Sequence, residues 1–337
     1  MKYLYELKTI IEFLILRLYT TSVKFCRRQV LSCIQKGTFM NTIEFTTRFS
    51  NEQNCKEYFA SLRREQGVIC KNCGCTNHYW LASKWQFQCS RCNFRTTLKS
   101  GTIMENSRLS FQKWFWIFYL MTQTKKGLSA CELQRQVGHQ RYATIWSIMH
   151  RIREKMGKRD NKYLLKGMVE FDEAYFEKAV SKSIKASLKR GRGSKRQQNV
   201  AVMAESFPLE NDEGKPQRYC GFFKMTVLPN SKTSSIDSVI RKSIERQTIV
   251  FSDKSTSYVN ISNYVDVHVS EKSTKQTTQD LLKWVHIAIS NAKRTLLGIF
   301  HKINGKYLQN YLDEFTYKLN RRHSSNLFHR LLVAVVN

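Results

Sequence analysis

The sequence predicts a multidomain protein in which a small cysteine-rich unit and an all-α unit precede an α/β domain with a mixed sheet. Two closely spaced cysteine pairs lie between residues 67 and 100. Apolar residues then recur at helical spacing from 108 to 158, and from residue 167 the pattern changes to alternating strand segments separated by helices. The 337 residues are enough for two or three compact cores.

The charge balance predicts a polyanionic partner, which we expect to be DNA. Lys and Arg number 56 against 26 Asp and Glu, a formal net charge of +30, and basic surfaces bind phosphate backbones through counterion release. The basic residues are dispersed along the chain, which favours a long path for the nucleic acid. The apolar run 10–17 is interrupted by charge and too short to cross a bilayer, so we expect no membrane partner.

The ten cysteines favour a reducing cytoplasm, because four are paired and six are scattered, unlike a disulfide framework. Residues 1–39 carry no motif and are either an extension upstream of a start at Met40 or an amphipathic helix that packs on the body. Residues 40–66 are predicted as an N-terminal helical region. Its helix, 51–64, has four residues on one face: Cys55, Tyr58, Phe59 and Leu62.

Two C-x-x-C pairs predict a zinc ribbon over residues 67–100. Fifteen residues separate the pair Cys70 and Cys73 from the pair Cys89 and Cys92. This spacing lets two tight turns present four thiolates to one tetrahedral Zn²⁺ ion, which is structural because no open position is left. Two alternatives stay open, namely four buried free cysteines and replacement of Cys73 by the nearby Cys75.

Residues 108–158 predict a helix-turn-helix unit that binds DNA. An apolar core helix is expected over 109–122, a short helix over 129–136 and a longer basic helix over 141–156, with Gly138 in the turn. Another three-helix packing would give the same pattern. The basic side chains expected to remain available to phosphates are Arg141, Arg151, Arg153 and Lys155.

Residues 167–322 predict an α/β domain. Strands are expected at 167–176, 199–204, 219–228, 248–252 and 265–269, and helices at 235–245, 257–264 and 278–300. This order is that of a ribonuclease-H-like fold, in which the first and fourth strands lie side by side. The segment 178–197 holds eight Lys or Arg and no acid, and it is either a solvated loop or a DNA contact. Residues 323–337 are expected to be a C-terminal tail.

The predicted strand order brings two aspartates together. Asp172 lies near the end of the first strand and Asp253 at the end of the fourth, so their carboxylates converge at one sheet edge. Hard oxygen ligands of this kind hold Mg²⁺, and a pair of such ions assists in-line phosphoryl displacement. Either aspartate alone could instead be a cap or turn residue. Glu173 is expected to support the site because one residue at this strand end suffices to face the metal.

The last helix supplies the candidates for a third position. His286 and Lys293 are seven residues apart and therefore share one helix face. We select His286 as the metal-side residue and Lys293 as a phosphate contact, with Asn291 as the second choice for the metal. His286 could also be an ordinary histidine on a helix face.

These residues together resemble the insertion-sequence transposases of family fifteen ninety-five, which combine a zinc ribbon with a DDE-type ribonuclease-H-like domain. The match covers the chain from about Met40 to its end. The segments that carry it are 67–74, 101–103, 114–115, 169–175, 252–253, 286–293, 298–301, 311–315 and 320–322. One departure is Phe176-Glu177-Lys178, where the family often has Gly-Gly-Lys.

The resemblance implies metal-dependent cutting and joining of DNA at terminal inverted repeats, with Mg²⁺ or Mn²⁺ at the catalytic centre and Zn²⁺ in the ribbon. Family members vary between Glu, Asn and His at the third catalytic position, with a Lys seven residues later, which matches His286 and Lys293. Because two DNA ends are joined, we expect at least a homodimer, associated with the bacterial nucleoid. The alternatives are a catalytically inactive DNA-binding regulator and a nuclease on the same fold.

Overall fold

The computed structural model describes residues 40–180, 194, 196–210, 216–272, 274, 281–301 and 303–336. The expectations for residues 1–39, for most of the basic segment 178–197 and for the first residues of the helix predicted over 278–300 lie outside the described residues. Among the described helices, none is both long and apolar enough to span a membrane.

The N-terminal region contains two helices where the sequence analysis expected one, α1 (Thr42–Arg48) and α2 (Glu52–Gln66). Each has its own N-cap: the Asn41 side chain accepts from the backbone N–H of Glu44, and the Asn51 side chain accepts from that of Asn54. The second cap explains why the chain breaks between the helices.

Residues 78–97 form a small antiparallel sheet of strands β1 (His78–Leu81), β2 (Gln86–Cys89) and β3 (Arg95–Thr97). The buried Arg63 of α2 anchors the segment that follows this sheet. Its Nη1 donates to the carbonyl oxygens of Leu98, at 3.1 Å, and of Ser100, at 2.7 Å. The sheet therefore packs onto the helical unit through the hydrogen bonds of Arg63 Nη1 as well as through apolar contacts.

The expected three-helix arrangement is present as α3 (Phe111–Gln123), α4 (Ala130–Val137) and α5 (Tyr142–Asp160). Ser129 caps α4, and Gly138 ends it with a φ of 61°, a conformation that favours glycine. The core of this unit is lined by Trp114, Phe115, Phe118, Ile145, Met149 and Ile152.

The last element does not match the expected tail. Residues Leu327–Val336 form a helix, which we number α9, after α8 (Leu308–Asn320). Phe328, Leu331 and Val335 are fully buried in the core of the N-terminal helices. The chain therefore returns to its N-terminal unit after the α/β domain, because an apolar helix face needs a partner surface.

The α/β domain is a five-stranded mixed sheet. Its strands are β4 (Leu165–Glu177), β5 (Gln197–Glu210), β6 (Pro216–Val227), β7 (Ile244–Asp253) and β8 (Val267–Glu271), in the order β6-β5-β4-β7-β8. The first and fourth strands, β4 and β7, are parallel neighbours, as the sequence predicted. β5 and β6 continue the sheet antiparallel on one side, and β8 adds a parallel strand on the other.

Helices cover both faces of this sheet. Helix α6 (Thr233–Ser243) packs on the face of Val169 and Phe171, and α7 (Lys283–Phe300) packs with α8 on the face of Ala174 and Phe176. The short helix expected over 257–264 is present as two 3₁₀ turns, Thr256–Tyr258 and Ile261–Asn263. This layered arrangement is consistent with a ribonuclease-H-like domain.

Candidate active site

The two aspartates of the predicted site lie on neighbouring parallel strands. Phe171 of β4 is paired with Ser252 of β7, so Asp172 and Asp253 each follow one position later at the same edge of the sheet. Both side chains are partly exposed there. The parallel register thus produces the convergence that the strand order predicted.

The surroundings of Asp172 disfavour its ionised form. Burial and the nearby Asp253 charge raise the pKa of Asp172 to about 7, while the backbone N–H of Glu173 and the Lys293 charge oppose that rise. The Glu173 N–H donates to Asp172 Oδ1 at 2.7 Å. A divalent cation fits this edge, because it would relieve both the desolvation of the carboxylate and the repulsion between the two acids.

Helix α7 brings His286 to the same place. His286 Nε2 lies 3.7 Å from Asp172 Oδ2. Burial lowers the pKa of His286, which favours the neutral imidazole and its metal-binding lone pair. Lys293 lies two turns further along and is exposed, with its Nζ 5.8 Å from the centre of the Phe176 ring. The side chain of Asn291 instead accepts a hydrogen bond from Arg294 Nη2 at 2.8 Å.

The three side chains do not form a closed ligand set. Within the described part of the chain, Cys70, Cys73, Cys89 and Cys92 are the one group of three or more His, Cys, Asp or Glu whose ligand atoms all lie within 4.8 Å of one another. His286 therefore lies near Asp172, but the ligand atoms of Asp172, Asp253 and His286 do not all lie within 4.8 Å of one another. The two aspartates and one histidine still provide the oxygen and nitrogen donors that a divalent ion needs.

The sequence analysis missed two residues around this edge, Tyr258 and Glu170. Tyr258 is buried on the opposite face, its ring centroid 5.1 Å from that of Phe171, and its hydroxyl is hydrogen-bonded to Glu173. Burial and the three surrounding acids raise the pKa of Tyr258. Glu170 lies two residues before Asp172, on the same face of β4. The alternation of acids in an apolar strand was the signal that could have identified Glu170.

The four cysteines come together through two equivalent turns. The backbone N–H of Gly74 donates to the carbonyl oxygen of Cys70, and that of Asn93 donates to the carbonyl oxygen of Cys89. Both donor residues have a positive φ. The Sγ atoms of Cys70 and Cys92 are 3.5 Å apart, as are those of Cys73 and Cys89.

The cluster has the chemistry of a structural zinc site. The backbone of Phe94 and the side chain of Asn72 lower the pKa of Cys92 to about 6, whereas burial and the other three cysteines raise the pKa of Cys73 to about 12. Cys92 is therefore the cysteine that ionises first in the group. Neighbouring thiolates repel one another unless a cation lies between them. The donor set and its turns therefore fit Zn²⁺, and Cys75 lies outside the group.

The exposed basic surface of α5 differs from the one expected. Arg153 was predicted to reach phosphates, but it is only 1% exposed and pairs with Glu314 of α8. Lys155 is half-buried, whereas Arg141 and Arg151 are exposed. The helix period alone could not show this, because it does not reveal that α8 covers that face of α5.

One comparison with known proteins identifies the α/β domain. The sequence model of the ISXO2-like transposase domain, a DDE transposase family named for IS1595, matches residues 164–320. This stretch begins just before β4 and ends with α8. No curated protein matches the chain. The family match agrees with the strand order and confirms, over residues 164–320, the resemblance seen in the sequence.

Proposed function

We propose that the protein is a transposase that cuts and joins DNA at the edge formed by Asp172 and Asp253, because residues 164–320 match the model of the ISXO2-like transposase domain. The observation that supports this proposal most directly is the parallel pairing of β4 with β7, which puts the two carboxylates on adjacent strands. The proposed substrates are the terminal inverted repeats of an insertion sequence and a target DNA.

Asp172 and Asp253 are proposed to hold the divalent ions, Mg²⁺ or Mn²⁺. Bound there, such ions neutralise charge on the scissile phosphate and favour in-line displacement. The chain's own contribution is to hold two carboxylates at fixed positions, with Glu173 N–H orienting one oxygen of Asp172. Water and then a DNA 3′-hydroxyl are the nucleophiles in this proposal, so a covalent bond between protein and DNA is not required.

His286 and Lys293 are proposed to complete the site from α7. His286 is the third metal-side residue, because its Nε2 lies 3.7 Å from Asp172 Oδ2. Lys293 is exposed and close enough to affect the Asp172 charge, which suits an ammonium that contacts a DNA phosphate. Asn291 is the weaker candidate, since its side-chain oxygen is engaged by Arg294.

The N-terminal units are proposed to hold the DNA. Four arginines of these units are exposed: Arg91, between Cys89 and Cys92, Arg95 of β3, Arg141, directly before α5, and Arg151 of α5. Zn²⁺ is proposed to bind the four cysteines and stabilise this sheet. Since joining requires two transposon ends, we propose that the active complex contains at least two copies of the chain.

A strand-transfer assay tests the proposal. Purified protein is incubated with a duplex that carries the element's terminal repeat, with a target plasmid, and with Mg²⁺ or Mn²⁺. Asp172→Asn and Asp253→Asn are each expected to reduce joining by about 10³-fold, the order of effect seen when transition-state charge stabilisation is lost. Asp266→Asn serves as the matched control, because this exposed acid lies in the same domain and away from the site.

The outcomes distinguish the alternatives. If wild type joins DNA and both substituted proteins join it equally well, the proposed site is wrong. Cleavage without joining indicates a nuclease. Specific DNA binding without either reaction indicates a regulator that uses only the N-terminal units.

A further inference from the structure

Glu170 is a fully buried carboxylate in the middle of a sheet. Its exposed fraction is 0%, and it precedes Asp172 by two residues, about 6.6 Å along the same face of β4. Apolar residues fill the neighbouring strand positions, Val169 and Phe171. A valine at 170 would satisfy the packing of a buried strand, whereas an acid there costs desolvation energy that must be offset.

The carboxylate of Glu170 holds the first turn of α7. Its Oε2 accepts hydrogen bonds from the backbone N–H of Trp284, at 2.7 Å, and of Val285, at 3.1 Å. These N–H groups belong to the opening turn of a helix that starts at Lys283, and the N-cap residue Leu282 makes no side-chain capping bond. Glu170 therefore supplies from the sheet the cap that α7 lacks in its own sequence, where the helix dipole also favours an anion.

This contact determines where His286 lies. His286 directly follows the second residue that Glu170 holds, and it reaches Asp172 on the same strand. A helix turns about 100° per residue, so a start displaced by one residue would direct the His286 ring away from the sheet edge. Strand β4 therefore carries both Glu170, which holds the start of α7, and Asp172, which lies beside His286 of that helix.

We propose that Glu170 is a positioning residue of the active site, which sets the start and rotation of α7 and thereby places His286 beside Asp172. The catalytic part of this inference rests on the proposed transposase function. The geometric part does not, because the order of the first turn of α7 can be measured without any reaction.

Two substitutions separate the hydrogen-bond acceptor from packing and charge. Glu170→Val keeps a residue suited to a buried strand and removes the acceptor. Glu170→Gln keeps a side-chain oxygen that accepts from both N–H groups and removes the charge. Glu52→Ala is the matched control, because Glu52 accepts in the same way from Phe111 N and Gln112 N at the start of α3, each at 2.9 Å.

Hydrogen exchange tests the geometric part. In Glu170→Val we expect the amides of Trp284, Val285 and His286 to exchange about tenfold faster, as when one buried hydrogen bond is lost. Glu170→Gln is expected to exchange within about threefold of wild type. Unchanged protection in Glu170→Val would overturn the proposal, and so would a loss that spreads equally over the whole α/β domain.

A double-mutant cycle tests the catalytic part. Glu170→Val is expected to reduce strand transfer about tenfold in the wild-type background and to have no further effect in His286→Ala, because both changes remove the same contribution. The control Asp266→Asn should leave joining unchanged, and Glu170→Gln should join DNA at nearly the wild-type level. Additive losses in the cycle would overturn the positioning role. If the wild type joins no DNA at all, the proposed function fails, while hydrogen exchange still decides whether Glu170 fixes the helix.

Discussion

Removing the carboxylate of Glu314 should strongly destabilise the contact between helix α5 and the α/β domain. Glu314 is 4% exposed. Its Oε2 accepts from Arg153 Nε at 2.7 Å and its Oε1 from Lys318 Nζ at 2.6 Å. Arg153 also lies over the Tyr311 ring, with 4.2 Å from its Cζ to the ring centroid. One buried acid therefore serves two buried cations, on α5 and α8.

Two arguments give a similar loss of unfolding free energy for Glu314→Gln. The two cations hold the pKa of Glu314 at about 2, against an ordinary value of 4.5, despite the opposing effect of burial. That difference corresponds to about 3 kcal/mol of stability at neutral pH. Substitutions that remove one partner of a buried ion pair typically lower the free energy of unfolding by about 3–5 kcal/mol. We therefore expect Glu314→Gln to lower the free energy of unfolding by about 3–5 kcal/mol.

Urea denaturation followed by circular dichroism measures this loss, with Glu154→Gln on the exposed face of α5 as control. Because the folded pKa of Glu314 is depressed, its contribution is complete above about pH 5 and is lost as the pH falls towards 2. The difference between wild type and Glu314→Gln should shrink over that range. A loss below about 1 kcal/mol at pH 7, the value of an exposed ion pair, would refute the reasoning.

Two further predictions concern packing and metal. Gly157 of α5 faces the side chain of Asp313 on α8, and a Cβ at this position would lie 2.2 Å from Asp313 Oδ2. Gly157→Ala should therefore destabilise the protein by about 1–3 kcal/mol in the same urea assay. A change below about 0.5 kcal/mol would show that the Asp313 side chain moves aside freely. Removal of zinc with a chelator should release one ion per chain and make residues 67–100 sensitive to protease, and readdition of Zn²⁺ should reverse this. Persistent protease resistance after complete metal removal would contradict a structural zinc site.

A second buried polar contact joins α5 to α8 and the residues that follow it. Asp160 at the end of α5 receives hydrogen bonds from Asn320 and from both Nη atoms of Arg321, at 2.5–3.2 Å. Together with the hydrogen bonds of Glu314, these contacts hold the helical unit against the α/β domain along α5 and α8. The unit proposed to hold DNA is thus oriented relative to the acidic edge.

Several features could be predicted from the sequence because their chemistry is local. The cysteine spacing determines which thiols can share one ion, and the structure brings those four together. The alternation of apolar and polar residues located β4 and β7, and the strand order placed them side by side. The separation of His286 and Lys293 by two helical turns put both on one face of α7, and the structure places the His286 ring against Asp172.

Other features were decided only by the tertiary structure, because periodicity shows which face of an element is apolar but not what covers it. Arg153 resembles a solvent-exposed base in the sequence, and only the packing of α8 makes it a buried ion-pair partner. Residues 327–336 resemble a tail, yet they form a helix that fills the N-terminal core. Glu170 is an acid in an apolar strand, and its role depends on the start of a helix more than a hundred residues later. The sequence by itself determined which cysteines, acids and bases the chain carries and in what order, and the tertiary contacts determined which of those side chains lie close together and which charges stay exposed.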